Sequence, residues 1–186
     1  MIQNLKHKYL PVLACMFCIH CSAQNGFVKL SNNHITDTTG NTLKLRGVKL
    51  GGWLLWEGWI PGGGFKKETV IKQKLTELAG ETATQEFIKS YYKNYITEAA
   101  IHAIASAGFN GVRLPFNYRI LNTQDPAAPG FALIDSLISW CRKNGLYIIP
   151  DLHAAPGGQN HAFICDPEKT NFGRAKKILR RQSLSG

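Results

Sequence analysis

Apolar and polar positions alternate from Gly26 to Leu45. Phe27, Leu30, Ile35, Leu43 and Leu45 flank two polar turns, Ser31–His34 and Asp37–Asn41. Alternation with Asn/Gly turn chemistry predicts a small β-hairpin. Leu45–Leu50 then reads as a strand feeding a loop at Gly51–Trp59. The period next becomes helical: Val70, Ile71, Leu75 and Leu78 share a face, and Gly80 supplies a stop. A second helix runs through Phe87, Ile88 and Tyr91. A third starts at Thr97 as N-cap, carries Ile101, Ile104 and Ala105, and stops at Gly108. Gly111–Phe116 predicts a strand. Leu133, Ile134, Leu137, Ile138 and Cys141 predict a helix ended by Gly145. Leu146–Leu152 predicts another strand, apolar on nearly every residue, as strands covered on both faces are. After Asp166 the pattern fades.

Strands alternating with helices imply parallel βα units, either in a doubly wound sheet or in a (β/α)₈ barrel. Both architectures gather function at the C-terminal ends of their strands. Asp151 and His153 fall at such an end, before the turn Ala154-Ala155-Pro156-Gly157-Gly158. Arg113 comes near the end of the preceding strand, and Glu57 sits in the loop after the first. Asp151 is expected to turn away from His153. Taken singly, each has a plain structural explanation: a core histidine, a surface ion pair, a solvated carboxylate. Trp53, Trp56 and Trp59 could equally be core. A shared position on strand ends argues instead for one site. Aromatic faces with Glu, Arg and His fit a neutral, hydroxyl-rich ligand, because stacking suits sugar C–H surfaces while carboxylate and guanidinium accept from and donate to hydroxyls.

The formal charge of +10 over 186 residues changes this picture little. Lys6 and Lys8 lie at the start, and Arg174, Lys176, Lys177, Arg180 and Arg181 at the end. Between Gln24 and Gly173, fifteen bases face all twelve acids, and no basic stripe suited to a phosphate backbone runs through them. No nucleic-acid partner is expected. The first residues read as an export signal, 1–23: a charged start, the apolar run Tyr9–Ile19, and Cys21-Ser22-Ala23 before the cut. That run is too short to span a membrane. The reading favours a secreted or periplasmic protein over a lipoprotein cut before Cys15, which would leave too short an apolar core. Three of the five cysteines fall inside the signal. Cys141 and Cys165 remain and are expected to stay unpaired.

Several chemistries lack their residues. There is no dinucleotide or Walker loop, no G-x-S-x-G, and no H-E-x-x-H or C-x-x-C beyond the signal. No metal or other cofactor is expected. Three segments together, LRGVKLGGWLLWEGWI, GFNGVRLPFNY and LYIIPDLHAAPGGQN, resemble glycoside hydrolase family 5, and most closely its exo-β-glucanase-like branch. The resemblance implies a (β/α)₈ barrel and retaining hydrolysis of a β-glucan or related β-glycoside by two glutamates. It makes a polysaccharide or oligosaccharide the ligand. It casts Arg113 and His153 as active-site support and Glu57, with Trp56 and Trp59, as substrate-binding. Lys49 and Gly58 depart from it, standing where Asn and Pro are common.

The resemblance also places the acid/base in an Asn-Glu-Pro at the end of the fourth strand and the nucleophile at the end of the seventh. The chain has no Asn-Glu dipeptide. No catalytic residue is therefore assigned within it, and both glutamates are expected beyond its end. The expectation is that residues 24–173 are the N-terminal portion of the catalytic barrel, about three of eight βα units after a small hairpin. Residues 174–186 read as an off-pattern basic tail. The fragment alone is expected to be inactive and to fold poorly. The alternative is a non-catalytic carbohydrate-binding fragment.

Overall fold

The computed structural model describes residues 26–167 apart from 61, 63, 123, 126 and 127. The expected export signal and the basic tail lie outside the described residues. Two short strands, β1 (Lys29–Ser31) and β2 (His34–Thr36), pair antiparallel around Asn32 and Asn33, which take left-handed φ of 47° and 62°. Asn tolerates that conformation better than most residues. Three further strands, β3 (Gly47–Lys49), β4 (Gly111–Asn117) and β5 (Tyr147–Ala154), form a parallel sheet in the order β3-β4-β5. Helices α1 (Glu68–Ala79), α2 (Glu81–Tyr95) and α3 (Glu98–Ser106) lie between β3 and β4, and α4 (Ala132–Lys143) lies between β4 and β5. Two helix boundaries fall where the sequence signals them. Thr97 Oγ1 accepts from Ala100 N at 3.4 Å, and Gly80 closes α1 at φ 81°.

Register fixes the two faces of the sheet. Val48, Val112 and Ile148 align, as do Lys49, Arg113 and Ile149. Successive side chains alternate across a strand. Val112, Leu114 and Phe116 therefore face the helices, where they join Ile101, Leu137 and Cys141 in the core. The opposite face carries Lys49, Arg113, Asp151 and His153. Asn110 ties the entry to the sheet: its Oδ1 accepts from Arg46 N at 2.7 Å, and its Nδ2 donates to Lys44 O at 2.8 Å.

Two expectations need correction. β5 is not covered on both faces: Ile149 is 45% exposed and Leu152 41%. Ile149 and Leu152 lie on opposite faces by alternation, so neither face of β5, an edge strand of this sheet, is packed along its whole length. Leu78 shares a helical face with Ile71 and Leu75 in the sequence, yet it is exposed while they pack on the core. The last turn of α1 runs past that core. Cys141 and Cys165 are both free and buried.

Candidate active site

Arg113, Asp151 and His153 meet on the helix-free face of the sheet. Arg113 lies mid-way along β4, and Asp151 is in register with Pro115, two residues further on. An extended Arg reaches that distance along its own face. One guanidinium nitrogen of Arg113 donates to Asp151 Oδ2 at 2.6 Å, and His153 Nδ1 is 3.0 Å from the same oxygen. The expectation that Asp151 turns away from His153 is thus wrong. Residues two apart on a strand share a face, so the alternation that separates neighbours brings these two together. With Nδ1–H donated to Asp151, the His153 ring keeps Nε2 as an acceptor, and that atom is buried with no hydrogen-bond partner among the described residues. The arrangement fixes the orientation of both the guanidinium and the imidazole.

The loop after β3 behaves differently from its sequence reading. Glu57 is 2% exposed. Both of its oxygens are held by Lys49 Nζ, at 2.6 and 2.8 Å. Trp56, expected to line the site, is packed into the core: its ring lies edge-on to Tyr91, Tyr92 and Phe87 of α2, with Lys72 Nζ 5.2 Å from its centroid. The burial of α2 against this loop claims its face. Trp53 is fully buried and donates its Nε1–H to Tyr92 O at 2.8 Å. Trp59 alone of the three is exposed, at 54%. Gly58, between Glu57 and Trp59, is required by close backbone approach: a Cβ there would stand 2.5 Å from Gly64 O and 2.7 Å from Lys66 O.

A second polar cluster was not legible in the sequence. Asn117 ends β4, is fully buried, and donates to Glu68 Oε2 at 3.2 Å and Asp166 Oδ2 at 3.0 Å. Asp166 also accepts from Thr69 N, Thr69 Oγ1 and Arg119 Nη1, at 3.2, 2.7 and 2.7 Å. Glu68 Oε2 accepts from Trp56 N at 3.1 Å, and Glu68 Oε1 pairs with Lys72 at 2.6 Å. Burial alone would lower the Lys72 pKa, but the Glu68 carboxylate and Tyr92 outweigh it and hold it above the ordinary value. Burial pushes the Tyr92 hydroxyl up to about 12. The cluster straps the loop after β5 to the start of α1 and to the end of β4. Its sequence signals are single polar residues far apart in the chain, and nothing in their spacing joins them.

Comparison with known proteins bears on what this arrangement is for. The cellulase family, glycosyl hydrolase family 5, matches residues 69–178, more than half of the 186 residues. The chain belongs to glycosyl hydrolase family 5. The family match includes Arg113 and His153 and begins beyond Glu57 and Trp59. A β-xylosidase from Phanerodontia chrysosporium is 37% identical over 147 residues, 75% of this chain and 30% of that protein. A glucan 1,3-β-glucosidase from Blumeria graminis is 37% identical over 128 residues, 64% of this chain and 30% of its own. The solved rutinosidase from Aspergillus niger superposes with a TM-score of 0.55 at 27% identity, over 68% of this chain and 37% of that one. The chain thus spans about 30% of the length of these two relatives. Among the described residues, no group of three or more His, Cys, Asp or Glu is placed to hold a metal ion, and no helix is long and apolar enough to cross a membrane.

Proposed function

We propose that this chain supplies the first strands of a family 5 (β/α)₈ barrel that hydrolyses β-glucan or a related β-glycoside with retention. The observation that carries the reading is the Arg113–Asp151–His153 cluster on the helix-free face of a parallel sheet, in a chain of this family. In such a barrel that face is the interior, where substrate sits over the strand ends. Arg113 and His153 orient the reacting sugar and the carboxylate that attacks it. Trp59 offers an open aromatic face for stacking, and Glu57 contributes through Lys49 rather than directly. A retaining mechanism needs two carboxyl groups about 5–5.5 Å apart, one as nucleophile and one as acid then base. Glu57 is bound to Lys49 and Asp151 to Arg113, so neither is free for those roles. These pairings support the reading, implied by the family resemblance, that the catalytic pair comes from later strands of the barrel. An export signal at 1–23 would deliver the protein outside the cell, where polysaccharides are met.

The same ion pairing supports a second reading for the chain by itself: it binds sugar without cleaving it. The deciding experiment assays the 186-residue chain, and the chain extended to a whole barrel, on aryl β-glucosides, laminarin and cello-oligosaccharides. The extended protein is expected to turn over at least one of them with retained anomeric configuration, and the chain alone none. Turnover by the chain alone would remove the placement of the glutamates on later strands. An inverted product would remove the retaining mechanism.

A further inference from the structure

The helix-free face of the sheet carries a second cation beside Arg113. Lys49 ends β3 in register with Arg113, so both side chains stand on the same side. Its ammonium takes both oxygens of Glu57. The two partners differ sharply in access: the Glu57 side chain is 3% exposed and that of Lys49 35%. Gly51 closes the pair further, since a Cβ there would meet Glu57 Oε2 at 3.1 Å and Lys49 Cε at 3.4 Å. A carboxylate only accepts, whereas an ammonium only donates and has three protons. The Glu57 carboxylate is therefore enclosed, while part of the Lys49 side chain stays accessible. A ligand on this face meets the Lys49 ammonium, not the Glu57 carboxylate.

We infer that Lys49 is the specificity-determining residue of this corner: it occupies Glu57 as an acceptor and donates a remaining proton, beside Arg113, to an acceptor oxygen of the bound glycoside. The inference rests on the proposal that this face binds a glycoside. The acceptor is either a neutral ring hydroxyl or the carboxylate of a uronic acid. Lys49 and Arg113 are each matched by one carboxylate, Glu57 and Asp151. Among the described residues, the face therefore has no surplus positive charge to offset a further anion, and a hydroxyl oxygen is the expected partner. If Glu57 itself bound the ligand, its release from Lys49 would tighten binding. Donation by Lys49 predicts the opposite sign.

The test measures binding of phenyl β-glucoside and phenyl β-glucuronide to the 186-residue chain by ligand-observed NMR, with circular dichroism to match the folds. Wild type is compared with Lys49→Met and with Lys49→Met/Glu57→Gln. The single variant leaves a buried carboxylate unpaired and is at risk of misfolding. The double variant removes both charges and keeps the question open to measurement. Both variants are expected to bind the glucoside roughly ten-fold or more weakly, the usual scale for losing a hydrogen bond to a charged group. A glucuronide preferred over the glucoside by wild type, and lost in the variants, would support Lys49 as donor with the carboxylate as its acceptor. Binding that is unchanged in the double variant, or tighter in a folded Lys49→Met, overturns the inference alone. A wild-type chain that binds neither compound overturns the glycoside reading of this face and the inference with it.

Discussion

Arg113 is anchored at one end by its strand and at the other by Asp151, so its loss removes a fixed donor while the helix-side core of β4 stays packed. Its side chain is 39% exposed, and Val112 and Leu114, its neighbours, are the residues that fill the core. In a barrel-length version of the protein, Arg113→Ala is expected to lower kcat/KM about 10–100-fold, the equivalent of about 1.5–3 kcal/mol for a hydrogen bond to a charged group. The thermal midpoint should move little. Steady-state kinetics with a melting curve checks both halves, and full turnover in the variant would take Arg113 out of the site. At this scale the sequence was informative about which residues stand on the face and much less about what they touch. That Arg113 and His153 share one face was legible because parallel strands alternate their side chains, although Arg113 lies mid-way along β4 rather than near its end. The places of Glu57 and Trp56 were not legible, since their fates depend on Lys49 and on the aromatic face of α2, contacts that span elements.

Among the elements, α1 carries more than its share of the polar packing. Its first turn supplies Glu68 and Thr69 to the cluster around Asn117 and Asp166, and Lys67 Nζ donates to Pro167 O at 2.7 Å. Asp166 is 3% exposed and held at φ 43°, where a non-glycine residue needs local support. Replacing it by Ala takes the acceptor from Thr69, Asn117 and Arg119 together. The expected loss is about 3 kcal/mol or more, on the scale of breaking a buried pair, read as a shifted urea midpoint. A shift under about 0.5 kcal/mol, the range of ordinary surface substitutions, would mean the strap adds nothing. The helices and strands were largely readable from period and stop signals. The strap was not, because it is built from side chains of α1, β4 and the loop after β5.

The same elements set an alkaline limit. Lys72 is held above its ordinary pKa despite burial, which opposes the shift. Burial raises Tyr92 to about 12 and Cys141 to about 11. All three keep their protons more tightly when folded than when unfolded. The stability they contribute is complete below the unfolded values and is lost as pH rises through the folded ones. Cys141 begins this at about 9, and Lys72 and Tyr92 follow above about 10. Urea midpoints should be level from pH 7 to 8.5 and fall steadily from about pH 9, by up to about 1.4 kcal/mol per pH unit for each group titrating. A midpoint that rises between pH 9 and 11 would contradict the direction of all three shifts.

For the molecule as a whole, one side of the sheet is closed by helices and the other carries charge over an open surface. β3 and β5 are the two edges of the sheet, and β5 is the longer, at eight residues against three. A long edge presents unpaired N–H and C=O groups, and such edges recruit strands from other chains. Ile149 adds an exposed apolar side chain in the middle of β5, on the face that holds Arg113. The parallel arrangement of strands with intervening helices was legible from strand–helix alternation, but this exposure was not: the near-continuous apolar run of β5 reads as a strand covered on both faces. That run is consistent with a strand built to be covered, here with its cover missing among the described residues. The 186-residue chain is therefore expected to associate with rising concentration, through the β5 edge. Sedimentation velocity from about 1 to 100 μM should show growing oligomers. Ile149→Lys, which places a charge where an approaching strand would pack, should hold the chain monomeric to higher concentration. It should leave the helix-side core, and hence the circular dichroism spectrum, unchanged. Association identical in wild type and variant would place the sticky surface elsewhere, and a wild type that stays monomeric throughout would show that the edge is already protected.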